Sequence, residues 1–109
     1  MEQITFDEFK RMDLRVGQIL TAENVEGTQK LVKFEVDMGT EKRQMVAGVA
    51  EAYSPEALIG KRIIVVANLK PARIRGIESQ GMLLAADIEG GKPVIPFLGE
   101  DVPVGTKVR

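Results

Sequence analysis

Alternation of apolar and polar residues predicts a chain built mainly of β-strands. From Val32 to Met38, every second residue is apolar and the residues between are charged, the pattern of a strand with one buried face. Gly39-Thr40 then predicts a turn into a second strand at Lys42–Ala47, so the two form a hairpin. The continuously apolar run Ile63–Ala67 predicts a strand buried on both faces.

Three further segments have strand character. Leu14–Val25 predicts a long strand, and Gly17 inside it predicts a bulge or a sharp bend, because glycine weakens a regular strand. Met82–Ala86 predicts another apolar strand, and Val94-Ile95 a short one. The prolines that surround Val94-Ile95 confine the C-terminal part to edges and loops, and they are Pro93, Pro96 and Pro103.

Two short helices complete the pattern. Thr5 and Glu8 have the spacing of a capping box, which predicts a helix over Phe6–Arg11. Ser54-Pro55 predicts an N-cap followed by proline in the first turn of a helix that ends before Gly60. Five main strands with a short helix between the third and fourth predict an all-β chain, either an OB-fold (a five-stranded Greek-key barrel) or a small sandwich. The 109 residues suit one domain, 1–109, with a C-terminal extension.

The composition removes most enzyme chemistries. The chain has no Cys and no His, so it has no disulfide, no thiolate metal site and no imidazole base. Glu100 and Asp101 are adjacent carboxylates in a turn-like stretch, where a solvated turn is the expected structure. The sequence therefore predicts a non-catalytic protein without metal or cofactor.

Apolar stretches are too short to cross a membrane, which takes about 20 residues. The start Met1-Glu2-Gln3-Ile4 lacks the basic and apolar parts of a signal peptide. The sequence therefore predicts a cytoplasmic protein with no membrane partner.

Positive charge is concentrated in one block. The net charge is −1, yet residues 61–75 contain five Lys or Arg and no acid. Such a block is either a local phosphate-binding patch or a solvated loop, and the charge pattern favours neither.

The segment from Asn68 to Met82 combines cations, hydrogen-bonding side chains and glycines. Ser79 and Gln80 suit sugar or phosphate oxygens, while Gly76 and Gly81 permit close backbone approach. The alternative is a polar crossover loop, with Met82 starting a core strand, and the residues alone slightly favour it.

This segment resembles the signature of a tRNA-binding domain. The domain occurs at the C-terminus of methionyl-tRNA synthetases, in free-standing dimeric structure-specific tRNA-binding proteins and in eukaryotic synthetase-associated cytokine precursors. The resemblance extends over the whole chain in order and spacing, and its other segments are Phe6–Phe9, Asp13–Gly17, Val25–Leu31, Arg43–Gly48, Tyr53–Leu58 and Gly60–Arg62.

The resemblance implies an OB-fold that binds tRNA by its shape, near the outer corner of the L, and by phosphate contacts. It also implies a homodimer that acts as an accessory domain or subunit of methionyl-tRNA synthetase, in cis or in trans. The residues carried over by position are Lys30, Arg43, Asn68, Lys70, Arg73, Arg75, Ser79 and Met82. We add Gln80 from the same turn, and Lys33 and Lys42 from the outward faces of the second and third strands. Within this set we expect a hydrogen bond from the Ser79 hydroxyl to the RNA backbone and an apolar contact from Met82.

A secretion chaperone of the CsaA type is the alternative, since that protein shares the fold and binds unfolded polypeptide. Its relatives lack the Lys70–Gly76 pattern and the Ser79–Met82 turn that are present here. Aromatic residues are few, and we expect Phe34 in the core and Tyr53 in a packing role. Shape and phosphate recognition of folded RNA is therefore favoured over stacking on single strands.

Overall fold

A computed structural model describes residues 1–109 and contains eight strands and two single-turn helices. In chain order they are α1 (Phe6–Phe9), β1 (Leu14–Asn24), β2 (Val32–Asp37), β3 (Lys42–Ala47), α2 (Pro55–Leu58), β4 (Arg62–Val66), β5 (Ala72–Ile74), β6 (Ile77–Ser79), β7 (Met82–Leu83) and β8 (Lys107–Val108). Both predicted N-caps are present: Thr5 and Glu8 form the capping box of α1, and the Ser54 side chain accepts from the Ala57 N–H at α2.

The long strand β1 organises the sheet. Its C-terminal half pairs antiparallel with β2, from Gln18 to Asn24, and its N-terminal half pairs with β4, from Leu14 to Gln18. The short strand β8 adds to β1 beside Leu14 and Arg15. The resulting strand order is β3-β2-β1-β4-β7, all antiparallel, with the β5–β6 hairpin as a separate two-stranded sheet.

The sheet curls until its two ends meet at a seam formed by Ser79, Gln80 and Gly81. The Gln80 N–H donates to the Gln44 carbonyl at 2.8 Å, and the Val46 N–H donates to the Ser79 hydroxyl at 3.1 Å. These bonds attach the end of β6 to the free edge of β3, and two residues after Gln80 the chain enters β7 and pairs with β4. Closure confirms the predicted OB barrel, with α2 between the third and fourth main strands, and excludes the sandwich.

The barrel interior is filled by the inward faces of the strands. Val32, Phe34 and Val36 of β2 are at most 1% exposed, which confirms the predicted alternation and the core position of Phe34. Leu58 of α2 is completely buried and packs in the same hydrophobic core as these β2 side chains. Each such side chain contributes roughly 1.5–3 kcal/mol relative to an exposed position.

Gly17 is required by packing rather than by a bulge at that residue. The shift in β1–β2 pairing lies between Ile19 and Thr21, so the predicted position of the irregularity was wrong by a few residues. A Cβ at Gly17 would lie 2.5 Å from Cγ1 of Val36, closer than van der Waals contact allows. Glycine therefore lets β2 pack closely against β1.

Several predicted boundaries differ from the structure. Helix α1 ends at Phe9, and the predicted strand Met82–Ala86 is only two residues long. Val94 forms an isolated bridge with Ala86, while its neighbour Ile95 is buried in the barrel core. Strand β4 is less buried than predicted, because Ile64 is only partly covered.

No helix of this chain has the length and apolar character that crossing a membrane requires.

Replacing Gly17 by Ala should destabilise the barrel by about 1–3 kcal/mol, because the new methyl group overpacks the β1–β2 contact. Gly48→Ala is the matched control, since a Cβ there meets nothing within 4 Å and the residue has no positive φ. Urea unfolding should therefore show a lower midpoint for Gly17→Ala and a midpoint near that of the wild type for Gly48→Ala. Equal midpoints for the two variants would contradict the steric account.

Candidate nucleic-acid interface

The basic block ends in a hairpin, where sequence reasoning had favoured a loop. In the hairpin, Arg73 pairs with Glu78 and Ile74 with Ile77, so Arg75 and Gly76 form a two-residue turn. Both turn residues have positive φ, +54° and +78°, as in the type I′ turns that match strand twist. Lys70, Arg73 and Arg75 are all exposed on or just before this hairpin.

The base of the hairpin is fixed to the barrel by Gln44 of β3. The Gln44 side-chain amide donates to the Glu78 carbonyl at 2.9 Å, and its backbone N–H donates to Oε1 of Gln80 at 3.1 Å. Gln44 thus bonds to Glu78 and Gln80, the two residues that flank Ser79 in the seam. Sequence reasoning missed Gln44, because the run Lys-Arg-Gln-Met-Val-Ala of β3 gives no signal that distinguishes it from its polar neighbours.

Ser79 is placed differently from the prediction. It is 4% exposed, and its hydroxyl accepts from the Val46 N–H and donates to the Gly81 carbonyl at 2.9 Å. Ser79 is therefore not the exposed side chain that the expected contact implies, because both interactions of its hydroxyl are inside the protein. Its hydrogen bond to RNA stays a prediction. Gln80 is half-buried, and its side chain is engaged with Gln44.

Met82 lies on the outside of the barrel. It is 55% exposed, whereas the next residue, Leu83, is 4% exposed and joins the core. The strand that follows the seam therefore presents Met82 to solvent, and the alternative that placed Met82 in the core is wrong. Its contact with RNA stays a prediction.

The cations on β2 and β3 are partly neutralised. Lys33 lies 2.8 Å from a carboxylate oxygen of Glu23, and Arg43 lies 2.6 Å from one of Glu41. Arg43 also donates to the carbonyl of Ala67. These two residues are tied to their neighbours, which leaves less of their charge for a phosphate.

The remaining predicted cations carry no ion pair. They are Lys30, Lys42, Lys70, Arg73 and Arg75, and all five are exposed. Their hydrogen bonds, where present, go to backbone carbonyls: Arg73 donates to Gly76 at 2.8 Å and Arg75 to Gly27 at 2.6 Å. A guanidinium with one such bond keeps further donors for a phosphate.

Asn68 has a structural role in the segment between β4 and β5, just before Lys70. Its Oδ1 accepts from the Asp13 N–H at 2.8 Å, and its Nδ2 donates to the Arg11 carbonyl at 2.6 Å. Both functional groups of the amide thus tie the loop to the segment between α1 and β1.

The structure brings five of the predicted residues into two shallow clefts. Lys33 and Arg75 line one of them, together with Glu23 and Glu26. A second cleft contains Lys42, Arg43 and Gln80, with the exposed Leu69 at its border. Acidic residues line both clefts, whereas Lys70 and Arg73 lie outside them and carry no ion pair.

Tyr53 has the packing role that the sequence predicted. Its hydroxyl accepts from the Ile95 N–H at 2.9 Å, and its ring packs edge-on against Phe97, with centroids 5.8 Å apart.

No group of three or more acidic side chains is arranged to hold a metal ion. The surface therefore offers cations, amides and apolar contacts.

Comparison with known proteins identifies relatives of the whole domain. The family described as "Putative tRNA binding domain" matches residues 14–107. A methionine–tRNA ligase of Methanothrix thermoacetophila is 53% identical over 106 residues, which are 97% of this chain and 16% of the ligase. The chain thus spans about a sixth of the length of the ligases that it matches.

Two solved structures share the complete fold. A MetRS related protein from Pyrococcus horikoshii has a TM-score of 0.96 and 45% identity, with full coverage of both chains. The chaperone CsaA from Bacillus anthracis has a TM-score of 0.89 and 31% identity, covering 99% of this chain and 100% of its own.

Ser79 and Met82 should respond oppositely to truncation. Ser79→Ala leaves the buried Val46 N–H without a partner, so we expect the free energy of unfolding to fall by about 1–3 kcal/mol. Met82→Ala removes an exposed side chain, so stability should change by no more than about 0.5 kcal/mol. Denaturant unfolding measures both, and a large loss for Met82→Ala would contradict the outward placement.

Proposed function

Because the chain belongs to the tRNA-binding domain family, we propose that it binds folded tRNA as a non-catalytic module of a methionine–tRNA ligase. The observation that carries this proposal is the β5–β6 hairpin with the residues just before it, where Lys70 and Arg73 are exposed to solvent without ion pairs. Met82 is exposed immediately after the seam that holds the hairpin. Cations and an adaptable apolar side chain suit phosphates and the sugar surface of RNA.

The position of the hairpin in the barrel supports a nucleic-acid ligand. OB-folds bind oligonucleotides on the face of their second and third strands and on two loops, one after the first strand and one after the fourth. Here the first of these loops, residues 25–31, contains Lys30, and the second contains the hairpin. The unpaired cations of both loops therefore belong to the region that the fold uses for binding.

The form of the charge favours shape recognition over general affinity for RNA. The net charge of −1 gives no long-range attraction to a polyanion, and Glu23, Glu41 and Glu78 interrupt the positive surface. A ligand must therefore place its phosphates at the hairpin and avoid the acidic neighbours. Folded tRNA offers a fixed phosphate geometry that a flexible single strand does not.

The partner that we propose is the remainder of a methionine–tRNA ligase, in cis or in trans. The chain corresponds to a small part of each matched ligase, and it has neither His nor Cys for acid–base or covalent chemistry. The module would raise the affinity of the ligase for tRNA in the cytoplasm and would need no cofactor.

A binding comparison tests the proposal. We expect folded tRNA to bind more tightly than poly-U of equal length, with little difference among tRNA species. An unfolded polypeptide is the third ligand, because the likeness to the chaperone CsaA makes it the alternative. Filter binding with equal affinities for poly-U and tRNA would reject shape recognition, and preference for the polypeptide would favour the chaperone function.

The salt dependence of tRNA binding tests the role of the hairpin cations. With about four or five phosphate contacts, the slope of log K against log salt should lie at roughly −3 to −5. Replacing Lys70 or Arg73 by Ala should flatten the slope by about one unit for each lost contact. Lys92→Ala is the control, because Lys92 is exposed in the turn between Ala86 and Val94, away from the hairpin. Equal slopes for all three variants would remove the hairpin from the binding surface.

We also propose that the protein forms a homodimer through its C-terminal part. Ile88, Val94 and Phe97 are 52%, 47% and 37% exposed, and a partner chain would cover these apolar side chains. Sedimentation at micromolar concentration should show a dimer that Val94→Asp weakens. Leu69→Asp is the control, because Leu69 is equally exposed at 47% but precedes the hairpin. A monomeric wild-type protein would contradict the proposal.

A further inference from the structure

We infer that Arg75 is a positioning residue, which fastens the tip of the β5–β6 hairpin to the loop between β1 and β2. This inference rests on the proposed function, since it assigns Arg75 a part in presenting the binding surface. It also changes the role expected for Arg75, from a contact with phosphate to a contact inside the protein.

The backbone of Arg75 is the first observation. Its φ of +54° makes it the one residue other than glycine with a positive φ in the chain. Glycine and asparagine adopt this conformation readily, whereas a long side chain is seldom found in it. Arginine at this turn position therefore calls for an interaction that compensates for the unfavourable backbone.

The side chain supplies that interaction. Nη2 of Arg75 donates to the carbonyl of Gly27 at 2.6 Å, across 48 positions of sequence. Gly27 is itself in a turn with φ of +85°. A hydrogen bond from a charged donor is shorter and stronger than a neutral one, so this contact is suited to holding two loops together.

Apart from Arg75, the half-buried Ile77 is the side chain near the tip that lies beside the β1–β2 loop, in the cleft that Val25 and Glu26 also line. The base of the hairpin is attached through Ser79 and through the bond from Gln44 to Glu78, but both are at the β6 end. Ala72 and Arg73 of β5 are exposed, and the guanidinium of Arg73 bonds only to Gly76 within the hairpin. Arg75 thus supplies the one side-chain hydrogen bond from the outer end of the hairpin to the barrel.

Besides Arg75, the two fastened loops carry three of the unpaired cations of the proposed surface. Lys30 lies in the β1–β2 loop, and Lys70 and Arg73 lie in the hairpin segment. Fastening them fixes the distance between these charges before RNA arrives. If only a fraction of the protein molecules have the arrangement that binds RNA, the observed affinity is the intrinsic affinity multiplied by that fraction.

The first test uses the free protein, without RNA. Arg75→Asn keeps a residue that tolerates positive φ but removes the guanidinium, so the turn can form without the fastening. Amide hydrogen exchange by NMR should become faster by about tenfold or more in residues 25–31 and 72–77, with β1 and β4 unchanged. Arg73→Gln is the matched control: it loses the same charge on the same hairpin and should leave exchange in residues 25–31 unchanged. Unaltered exchange in Arg75→Asn would overturn the inference.

The second test separates positioning from phosphate contact. Arg75→Asn should weaken tRNA binding by about tenfold, if the competent arrangement falls to about a tenth of the population, and should keep the salt slope of the wild type. A slope flattened by about one unit would show that Arg75 contacts a phosphate and would overturn the positioning role. If the wild-type protein does not bind tRNA, the proposed function fails, while the exchange measurement still decides whether Arg75 fastens the loops.

Discussion

The barrel depends on the hydrogen bonds that satisfy the open edge of β3. An unpaired strand edge exposes N–H and C=O groups that need partners when they are buried. Here Ser79 and Gln80 supply side-chain oxygens to the N–H groups of Val46 and Gln44, in place of a regular strand. Gly81 completes the seam, because its φ of +125° and the Val66 carbonyl 3.1 Å from a hypothetical Cβ leave no room for a side chain. Three consecutive residues therefore close the sheet and direct the chain into β7.

The seam also explains how the proposed binding surface is built. It sets the base of the hairpin on β3, and it leaves Met82 outside while Leu83 enters the core. Arg73 and Arg75 stand on the inserted hairpin and Lys70 just before it, all three exposed, so their charge does not disturb barrel packing. Stability and binding are thus assigned to different residues of one short segment, in which Ser79 serves the fold and Arg73 is free for a ligand. This division fits the general rule that function lies in loops on a rigid scaffold.

Sequence reasoning was most accurate where structure is determined locally. The alternation from Val32 to Met38 identified β2, and the capping residues Thr5 and Ser54 identified both helix starts. Family resemblance then selected the OB barrel over the sandwich. The sequence did not reveal that Ser79 is buried. A hydroxyl that bonds to RNA and one that bonds to a distant backbone N–H, as Ser79 does to Val46, look the same in sequence. Strand β8 was missed for a related reason, since Lys107–Val108 is recognisable as a strand only once β1 lies beside it. The carboxylates beside Lys33 and Arg43 likewise became visible only in the folded chain.

The central claim is that tRNA binds on the hairpin side of the barrel. The most direct measurement is a titration of the isotopically labelled protein with tRNA, followed through its backbone amide resonances. We expect the resonances of residues 27–30, 70–78 and Met82 to shift or broaden, whereas those of α1 and of residues 87–92 keep their positions. Changes confined to α1 or to residues 87–92, with an unaffected hairpin, would contradict the account.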